Sequence, residues 1–237
     1  MKNYTFQELH AIYYKYCNLS YNYFTKYEKI LDFVNLPDWE HIRSGYRPSE
    51  EVGVDRTWCI LDFKEWIAKH NINPINKLLV TSDDAEEYYL KYNYKFVADY
   101  EVNKILYDLH TLDLPEKDFD FMLFSQTLEH LHNPQLAMQQ ITKHIKPNGY
   151  VFTSVPTVNI PHMTPIHFQG FTPMGLIMLF ISNGFEPIEV GQFGNEKYSN
   201  CLFKDGRTNY RYVIDENNLI KNDPNKPMHC WILAKKN

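Results

Sequence analysis

The sequence predicts an α/β fold, in which one mostly parallel β-sheet carries helices on both faces. From Lys77 onward, short apolar runs alternate with helical or loop segments, which is typical of parallel strands joined by crossover helices. The predicted strands are residues 78–81, 95–98, 104–107, 119–124, 150–155, 187–191 and 229–234. Before Lys77 the spacing of apolar residues is helical instead, so we expect a helical cap ahead of the sheet.

The first 72 residues are predicted to form this N-terminal helical cap and its connector. Residues 4–34 contain no Gly or Pro, and their apolar side chains recur at helical spacing, which indicates one or two helices. Pro37 ends this run. A polar segment then leads to a further predicted helix at 58–70. We therefore divide the chain into a cap and connector at 1–72 and an α/β domain at 73–237.

Two of the later helices have clear start signals. Asn133 is a natural N-cap before Pro134, and Thr172 is a natural N-cap before Pro173. Gly184 follows the second of these helices, where a left-handed residue is expected. Residues 192–227 are rich in turn signals, so we expect an excursion between the last two strands that helps to close a substrate pocket.

Composition narrows the classes of partner. Lys and Arg total 24 against 29 Asp and Glu, so the net charge of −5 gives no basis for nucleic-acid binding. The sequence has no apolar run near the ~20 residues that span a bilayer and no signal-peptide pattern at its start, so we expect a cytoplasmic protein without a membrane partner. The four cysteines lack a C-x-x-C or other metal-ligand spacing, so neither disulfides nor a metal site are predicted.

The most informative stretch is residues 108–156, in which an acidic strand end, a buried strand, a Glu–His pair and a second strand follow one another. This order resembles the second half of class I S-adenosylmethionine-dependent methyltransferases, of the type 11-like group found in glycan and small-molecule biosynthesis. The resemblance covers about residues 77–195 and implies a Rossmann-like sheet of seven strands. It also implies S-adenosylmethionine as cofactor and a small-molecule acceptor. The family's glycine-rich first loop reads here TSDDA, at residues 81–85, without any glycine.

The resemblance places the first cofactor contacts in this degenerate loop. Thr81, Ser82 and Asp83 are small or polar residues, and Ser82 or Asp83 could accept hydrogen bonds from the ammonium group of the cofactor. Alternatively, the segment is an ordinary turn in which Asp83 or Asp84 caps the following helix.

Further cofactor contacts are implied at the ends of later strands. Asp99 corresponds to the residue that accepts both ribose hydroxyls, although it could instead be a strand-end turn residue. Asp108 corresponds to the residue that binds the adenine amine, and Leu109 to the one that covers the ring. Ser125 and Gln126 would face the methionine end of the cofactor.

Two histidines are candidates for a catalytic base, because an imidazole titrates near neutral pH. His167 is the first candidate, since it lies in the loop at 157–170 that borders the acceptor site in relatives, and His130 is the second. His167 could instead anchor its loop, and the Glu129–His130 pair could serve a structural purpose. The spacing of these groups is not a recognised metal-ligand pattern.

Four residues are candidates for binding the acceptor. His162 and Phe168 lie in the loop at 157–170, which the resemblance places beside the acceptor. Arg43 and Tyr46 could clamp a phosphate or carboxylate of the acceptor, but their segment could equally be a solvated loop.

The sequence thus predicts methyl transfer from S-adenosylmethionine to an oxygen of a sugar or of a sugar-containing metabolite such as a nucleotide-sugar. A second hypothesis is a catalytically inactive methyltransferase-like module for binding or assembly, which the glycine-free loop favours. A third hypothesis keeps the fold but replaces the cofactor with a nucleotide or nucleotide-sugar. A homo-oligomer is also left open.

Overall fold

The computed structural model describes residues 3–21, 35–44, 53–81, 85–98, 107–162 and 166–237. The helices are α1 Phe6–Tyr21, α2 Trp39–Ser44, α3 Val54–Lys69, α4 Pro134–His144, α5 Pro173–Ile181, α6 Glu196–Asp205 and α7 Tyr210–Val213. The strands are β1 Ile75–Val80, β2 Tyr92–Val97, β3 Phe119–Leu123, β4 Ile145–Pro156, β5 Phe185–Phe193 and β6 His229–Lys236. Three short 3₁₀ turns lie at Ala85–Tyr89, Leu109–Thr111 and Leu128–His130.

The strands form one mixed sheet in the order β2-β1-β3-β4-β6-β5. β1 pairs in parallel with β2 and β3, and β3 pairs in parallel with β4. β6 lies between β4 and β5 and is antiparallel to both. The predicted α/β class with a mostly parallel sheet is therefore confirmed, with six strands in the described part of the chain. Of the other predicted strand, 104–107, residues 104–106 lie outside the described residues, and Tyr107 is not in a strand.

Both faces of the sheet are covered by helices, as predicted. On one face Phe63 of α3 packs against Phe152 of β4, with 4.5 Å between ring centroids. On the other face Met122 of β3 belongs to a buried cluster with Met138 of α4 and Phe180 of α5. Each fully buried side chain of this size stabilises the fold by roughly 1.5–3 kcal/mol, so these two layers hold the strand ends in place.

The N-terminal part of the chain begins with a capping box. The backbone N–H of Thr5 donates to Oε2 of Glu8 at 2.8 Å, and the backbone N–H of Glu8 donates to Oγ1 of Thr5 at 3.2 Å, which starts α1. α1 then contacts α5 and β5. A helix is thus confirmed in the first part of the 4–34 segment, whereas residues 22–34 lie outside the described residues. The domain division at residue 72 stays a prediction.

The predicted helix caps are confirmed. Oδ1 of Asn133 accepts from the backbone N–H of Leu136 at 3.1 Å, and Oγ1 of Thr172 accepts from that of Gly175 at 3.1 Å. Gly184 follows α5 with a φ of +82°, a conformation that costs glycine little. Local side-chain chemistry therefore sets where α4 and α5 begin.

The segment between β5 and β6 is an excursion, as predicted, but it also contains α6 and α7, which the turn signals did not reveal. Asn195 caps α6 by accepting from the backbone N–H of Tyr198 at 2.6 Å. A cavity of about 410 Å³ lies here, between residues such as Lys197, Asp215 and Lys226. That this excursion closes a substrate pocket stays a prediction. Among the described residues, no helix has the length and apolar character needed to cross a membrane.

Candidate active site

The carboxyl ends of the parallel strands meet at one edge of the sheet, which is where open α/β sheets bind ligands. Thr81 follows β1, and its backbone N–H donates to the carbonyl of Leu123 at the end of β3, at 3.3 Å. Its Oγ1 lies 3.4 Å from Oγ1 of Thr127. The structure therefore brings the start of the glycine-free loop next to the residues that follow β3.

Ser125 and Gln126, predicted to face the cofactor, lie at this edge. Ser125 is 1% exposed, and its Oγ has no hydrogen-bond partner among the described residues. Gln126 has a φ of +52°, a left-handed conformation that is uncommon for residues other than glycine. Its backbone N–H donates to the carbonyl of Ser154 at 2.7 Å. A buried orphan hydroxyl and a strained backbone thus lie side by side, a combination that is typical of functional sites.

A network of polar side chains holds the amide of Gln126. Its Nε2 lies 3.0 Å from Oγ of Ser154 and 2.8 Å from Nε2 of His229. Arg56 also donates to Oγ of Ser154, from Nη1 at 2.7 Å. On the other side, Nδ1 of His229 lies 3.1 Å from Oδ2 of Asp55. The network joins α3, β4 and β6 to the turn after β3.

The charges within this network are compensated. Nη2 of Arg56 lies 2.9 Å from Oε2 of Glu86, which is fully buried in the turn after β1. Cys59 donates to the other oxygen of Glu86 at 3.4 Å, and burial, together with this negative charge, raises the pKa of the Cys59 thiol. Burial also acts to raise the pKa of Asp55, but the neighbouring His229, followed by Tyr198 and Arg56, outweighs it, so the pKa of Asp55 is lowered. Asp55 and Arg56 therefore remain charged, and Cys59 is neutral.

Glu129 differs from these groups because its ion-pair contact is long: Nε2 of His130 lies 3.8 Å from its Oε1, and the lowered pKa of His130 keeps that ring neutral at neutral pH. Its side chain is 1% exposed, and Oε2 has no hydrogen-bond partner among the described residues. Burial raises the pKa of Glu129 to about 7, although its own backbone N–H and the charge of Arg56 act to lower it. A carboxyl with a pKa in this range can take up or release a proton near neutral pH.

The three predicted histidines are brought together beside Glu129. The ring centroids of His130 and His167 each lie 5.0 Å from that of His162, and they are 6.1 Å from each other. Nδ1 of His130 lies 3.1 Å from the carbonyl of Ile166. Burial, followed by the neighbouring histidines, lowers the pKa of His130. Within the described ranges, no group of three or more His, Cys, Asp or Glu side chains could hold a metal ion.

The loop that carries His162 and His167 is docked onto the turn after β3. The backbone N–H of Phe168 donates to the carbonyl of Glu129 at 2.8 Å, and Nε2 of Gln169 donates to the carbonyl of Leu131 at 2.8 Å. The ring of Phe168 is 52% exposed, and His162 is exposed. These two side chains therefore lie at the surface, next to the polar edge of the sheet.

Asp108 and Leu109 lie at a 3₁₀ turn near the same edge. Oδ1 of Asp108 accepts from the backbone N–H of His110 at 2.9 Å and lies 2.6 Å from Nδ1 of that histidine. The hydrogen bond from the backbone N–H is the main reason that the pKa of Asp108 is lowered, which outweighs the effect of burial. Leu109 is buried. Asp108 is therefore a negative helix cap here, and its contact with an adenine stays a prediction.

Several predicted site residues cannot be placed. Ser82, Asp83, Asp99 and Tyr46 lie outside the described residues. Arg43 belongs to α2, but its side chain lies outside the described part. The roles of these residues stay predictions.

Sequence reasoning missed Asp55, Arg56, Glu86, Ser154 and His229. Arg56 and Ser154 are 98 positions apart in the chain, and Gln126 and His229 are 103 apart, so no local motif links them. One signal was present: Asp55 and Arg56 precede an apolar helical run, where charged residues that become buried need partners.

Comparison with known proteins shows which family the chain resembles. The family model described as "Methyltransferase domain" matches residues 61–189. A solved S-adenosylmethionine-dependent methyltransferase from Archaeoglobus fulgidus is 17% identical, with 75% of this chain and 94% of that chain covered and a TM-score of 0.45. The solved 1,6-didemethyltoxoflavin-N1-methyltransferase from Burkholderia thailandensis is 15% identical, with 75% of this chain and 77% of that chain covered and a TM-score of 0.46. No curated protein matches the chain.

The family match spans more than half of the chain. It includes most of α3, β1, β3, β4 and the turn that carries Gln126 and Glu129. The chain therefore belongs to the methyltransferase domain family.

Proposed function

We propose that this protein transfers a methyl group from S-adenosylmethionine to an oxygen of a small sugar or sugar-containing acceptor. S-adenosylmethionine is the methyl donor of the class I enzymes that the motif at residues 108–156 resembles. The observation that carries the proposal is that several buried polar atoms at the carboxyl edge of the sheet have no hydrogen-bond partner in the described structure, among them Oγ of Ser125 and Oε2 of Glu129. Buried polar groups are normally hydrogen-bonded, so two orphans beside a strained residue favour a polar ligand at this edge.

The residues present fit the polar end of such a cofactor. Both hydrogen bonds of the Gln126 amide use Nε2, which leaves Oε1 for a donor group of the ligand. Oγ of Ser125 can also accept. The ammonium of the methionine part supplies up to three N–H donors, which matches these acceptors.

When bound, the cofactor supplies an electrophilic methyl group, so the protein must align the acceptor and remove one proton. We assign the proton to His167 first and to His130 second. The lowered pKa of His130 keeps its ring neutral and able to accept a proton at neutral pH. The exposed ring of Phe168 offers an apolar surface on which a sugar face can stack.

The remaining predictions belong to the same proposal. The further cofactor contacts are Thr81, Ser82, Asp83, Asp99, Asp108 and Leu109. The further acceptor contacts are His162, Arg43 and Tyr46. A seventh strand, beyond the six that the structure describes, and a cap that ends at residue 72 complete it.

Titration calorimetry with S-adenosylmethionine and with S-adenosylhomocysteine tests the proposal. We expect micromolar binding by the natural sequence. Asp99→Ala should weaken both ligands by roughly tenfold or more, since a hydrogen bond to a charged group contributes about 1.5–3 kcal/mol. Asp205→Ala, at an exposed position in α6, is the matched control and should leave both affinities unchanged.

A second candidate function is a catalytically inactive binding or assembly module, which the glycine-free loop at residues 81–85 favours. The absence of heat and of thermal stabilisation at millimolar ligand would support this candidate and contradict the first. An affinity within twofold of the natural one for Asp99→Ala would contradict the ribose contact. Displacement of the ligand by a nucleotide-sugar would point to a nucleotide at the same edge.

A further inference from the structure

Glu129 carries a buried carboxyl to which the proposed reaction assigns no step. Its side chain is 1% exposed, and Oε2 has no hydrogen-bond partner among the described residues. A carboxylate that is shielded from water and lacks a close cation is costly to ionise. Because little water screens it, a cation that reaches this carboxylate interacts with it more strongly than with an exposed one.

The titratable groups that face Glu129 do not compensate its charge. From its own turn, Nε2 of His130 lies 3.8 Å from Oε1, and the lowered pKa of His130 keeps that ring neutral at neutral pH. From α3, the charge of Arg56 acts on Glu129, but its guanidinium lies 2.9 Å from Glu86. From β6, burial raises the pKa of the Cys230 thiol to about 12, so this neighbour is uncharged.

The loop at residues 157–170 brings the remaining titratable groups. The carbonyl of Glu129 accepts from the backbone N–H of Phe168 at 2.8 Å, which docks this loop onto the turn. The ring centroids of His162 and His167 lie 5.0 Å and 6.1 Å from that of His130. These three imidazoles are therefore the groups whose own titration has to be separated from that of Glu129.

The carboxyl of Glu129 belongs to the same part of the sheet edge as the proposed contacts to the methionine end of the cofactor. Ser125 and Gln126 precede it in the same connection after β3, and Oγ of Ser125 is likewise buried without a partner in the described structure. Arg56, whose charge reaches Glu129, donates to Ser154 at 2.7 Å, and Ser154 lies 3.0 Å from Nε2 of Gln126. Glu129 thus borders the proposed site of the methionine end.

We propose that Glu129 is a specificity-determining residue whose carboxylate recognises the sulfonium charge of S-adenosylmethionine and thereby distinguishes the methyl donor from its product, S-adenosylhomocysteine. The inference rests on the proposed function and deepens it. The two ligands have the same ammonium, carboxylate and nucleoside, and they differ by one methyl group and one positive charge. An ionised Glu129 therefore attracts the donor and has no such attraction for the neutral thioether of the product.

This recognition depends on pH, because burial raises the pKa of Glu129 to about 7. A neighbouring cation favours the ionised carboxylate, so donor binding releases the proton of Glu129 to the solvent wherever the free protein holds it. The affinity for S-adenosylmethionine should therefore fall as the pH falls through 7. The affinity for S-adenosylhomocysteine should not depend on the charge of Glu129.

Titration calorimetry of both ligands at pH 6 and pH 7.5 tests the inference on the natural sequence and on Glu129→Gln. In the natural protein, the affinity for S-adenosylmethionine should rise roughly five- to tenfold more between these values than in the variant. At pH 7.5 the substitution should weaken S-adenosylmethionine by about tenfold or more and leave S-adenosylhomocysteine within about twofold. The variant keeps the three histidines, so the pH dependence that remains in it belongs to them and to the ligands.

Proton release gives an independent readout that a structural role of Glu129 would not change. Calorimetry at pH 7 in buffers of different ionisation enthalpy should show that S-adenosylmethionine releases roughly half a proton more from the natural protein than from Glu129→Gln. S-adenosylhomocysteine should show no such difference. Glu216→Gln, at an exposed position, is the matched control and should behave as the natural protein does.

Two results would overturn the inference: the same pH dependence of S-adenosylmethionine binding in Glu129→Gln as in the natural protein, or equal losses of affinity for the two ligands in this variant. Failure of the natural protein to bind either ligand would overturn the proposed function as well. The two conclusions therefore fail in different ways.

Discussion

Two regions of the protein each bury a glutamate, but they differ in whether its charge is compensated by neighbouring cations. Glu189 in β5 is 2% exposed and meets Lys69 and His70 at the end of α3, with Nε2 of His70 at 2.6 Å. Glu129 after β3 is 1% exposed, and its Oε2 meets no partner among the described residues. The first arrangement is a compensated structural charge. The second keeps a carboxyl that holds a proton near neutral pH, which costs stability.

Glu86 resembles Glu189 in having a compensated charge, because it is fully buried and paired with Arg56 at 2.9 Å. The helix α3 thus supplies cations to both compensated glutamates. The residues from Ser125 to Glu129 contain no cation of their own. Glu86 and Glu189 are thus compensated by α3 and the residue after it, whereas Glu129, at the carboxyl edge of the sheet, keeps an oxygen without a partner in the described structure.

The largest expected effect comes from turning a compensated glutamate into an uncompensated one. Arg56→Met removes the guanidinium but keeps much of the side-chain volume, and Glu86 is then left charged and buried. The free energy of unfolding should fall by about 3–5 kcal/mol, measured by urea denaturation at pH 7.5. The double variant Arg56→Met/Glu86→Gln should recover most of this loss. A loss below about 1 kcal/mol for the single variant would show that the pair contributes little.

The opposite change at Glu129 should stabilise the protein in a manner that depends on pH. The pKa of about 7 in the folded state lies above the ordinary value of 4.5, so the folded state holds this proton more tightly than the unfolded state. The contribution of Glu129 to the free energy of unfolding therefore falls as the pH rises from about 4.5 to 7. Glu129→Gln removes this dependence and should gain on the order of 2–3 kcal/mol at pH 8, measured by urea denaturation.

At pH 4 the same substitution should bring no comparable gain, because the carboxyl is protonated in the folded state and largely protonated in the unfolded one. Glu216→Gln, at an exposed position, is the control and should leave stability unchanged at both values. An equal gain at pH 4 and pH 8 would show that Glu129 is destabilising for a reason other than its charge.

The smallest expected effect concerns two buried serines that differ in the same way. Ser125→Ala removes a hydroxyl that has no partner in the described structure and should raise the free energy of unfolding by about 1 kcal/mol without ligand. Ser154→Ala removes the acceptor of Arg56 and Gln126 and should lower it by about 1–3 kcal/mol. Thermal denaturation of both variants measures the difference. The same sign for both would remove the distinction between a ligand group and a structural one.

The parts of the fold that the sequence predicts correctly are those whose signals lie within a few residues of the helix or strand concerned. Asn133, Thr172 and Gly184 act within three or four residues, and the helix boundaries that they predict are confirmed. The apolar runs of the six described strands are likewise local, so the sheet class followed from them. The helices α6 and α7 were missed because Gly206 and the neighbouring polar residues were interpreted as turn signals, whereas Gly206 ends α6 with a φ of +65°.

The candidate site was only partly predictable for the same reason. The motif around Glu129 and His130 indicated the correct edge of the sheet, because it follows a buried strand directly. The residues that hold Gln126 come from α3, β4 and β6, and their pairing depends on the three-dimensional order of the strands. A single sequence carries no local pattern for such contacts.

The position of β6 has a consequence for how the protein is made. During synthesis β4 and β5 emerge first, and each presents an unpaired edge on the side that β6 later fills. At about 5–20 residues per second, the 35 residues at 194–228 keep these edges open for some seconds, during which pairing with another chain competes with folding. His229 is part of β6, so its contact with Gln126 forms only when β6 pairs with β4 and β5. The nascent chain therefore cannot assemble this site before β6 is in place.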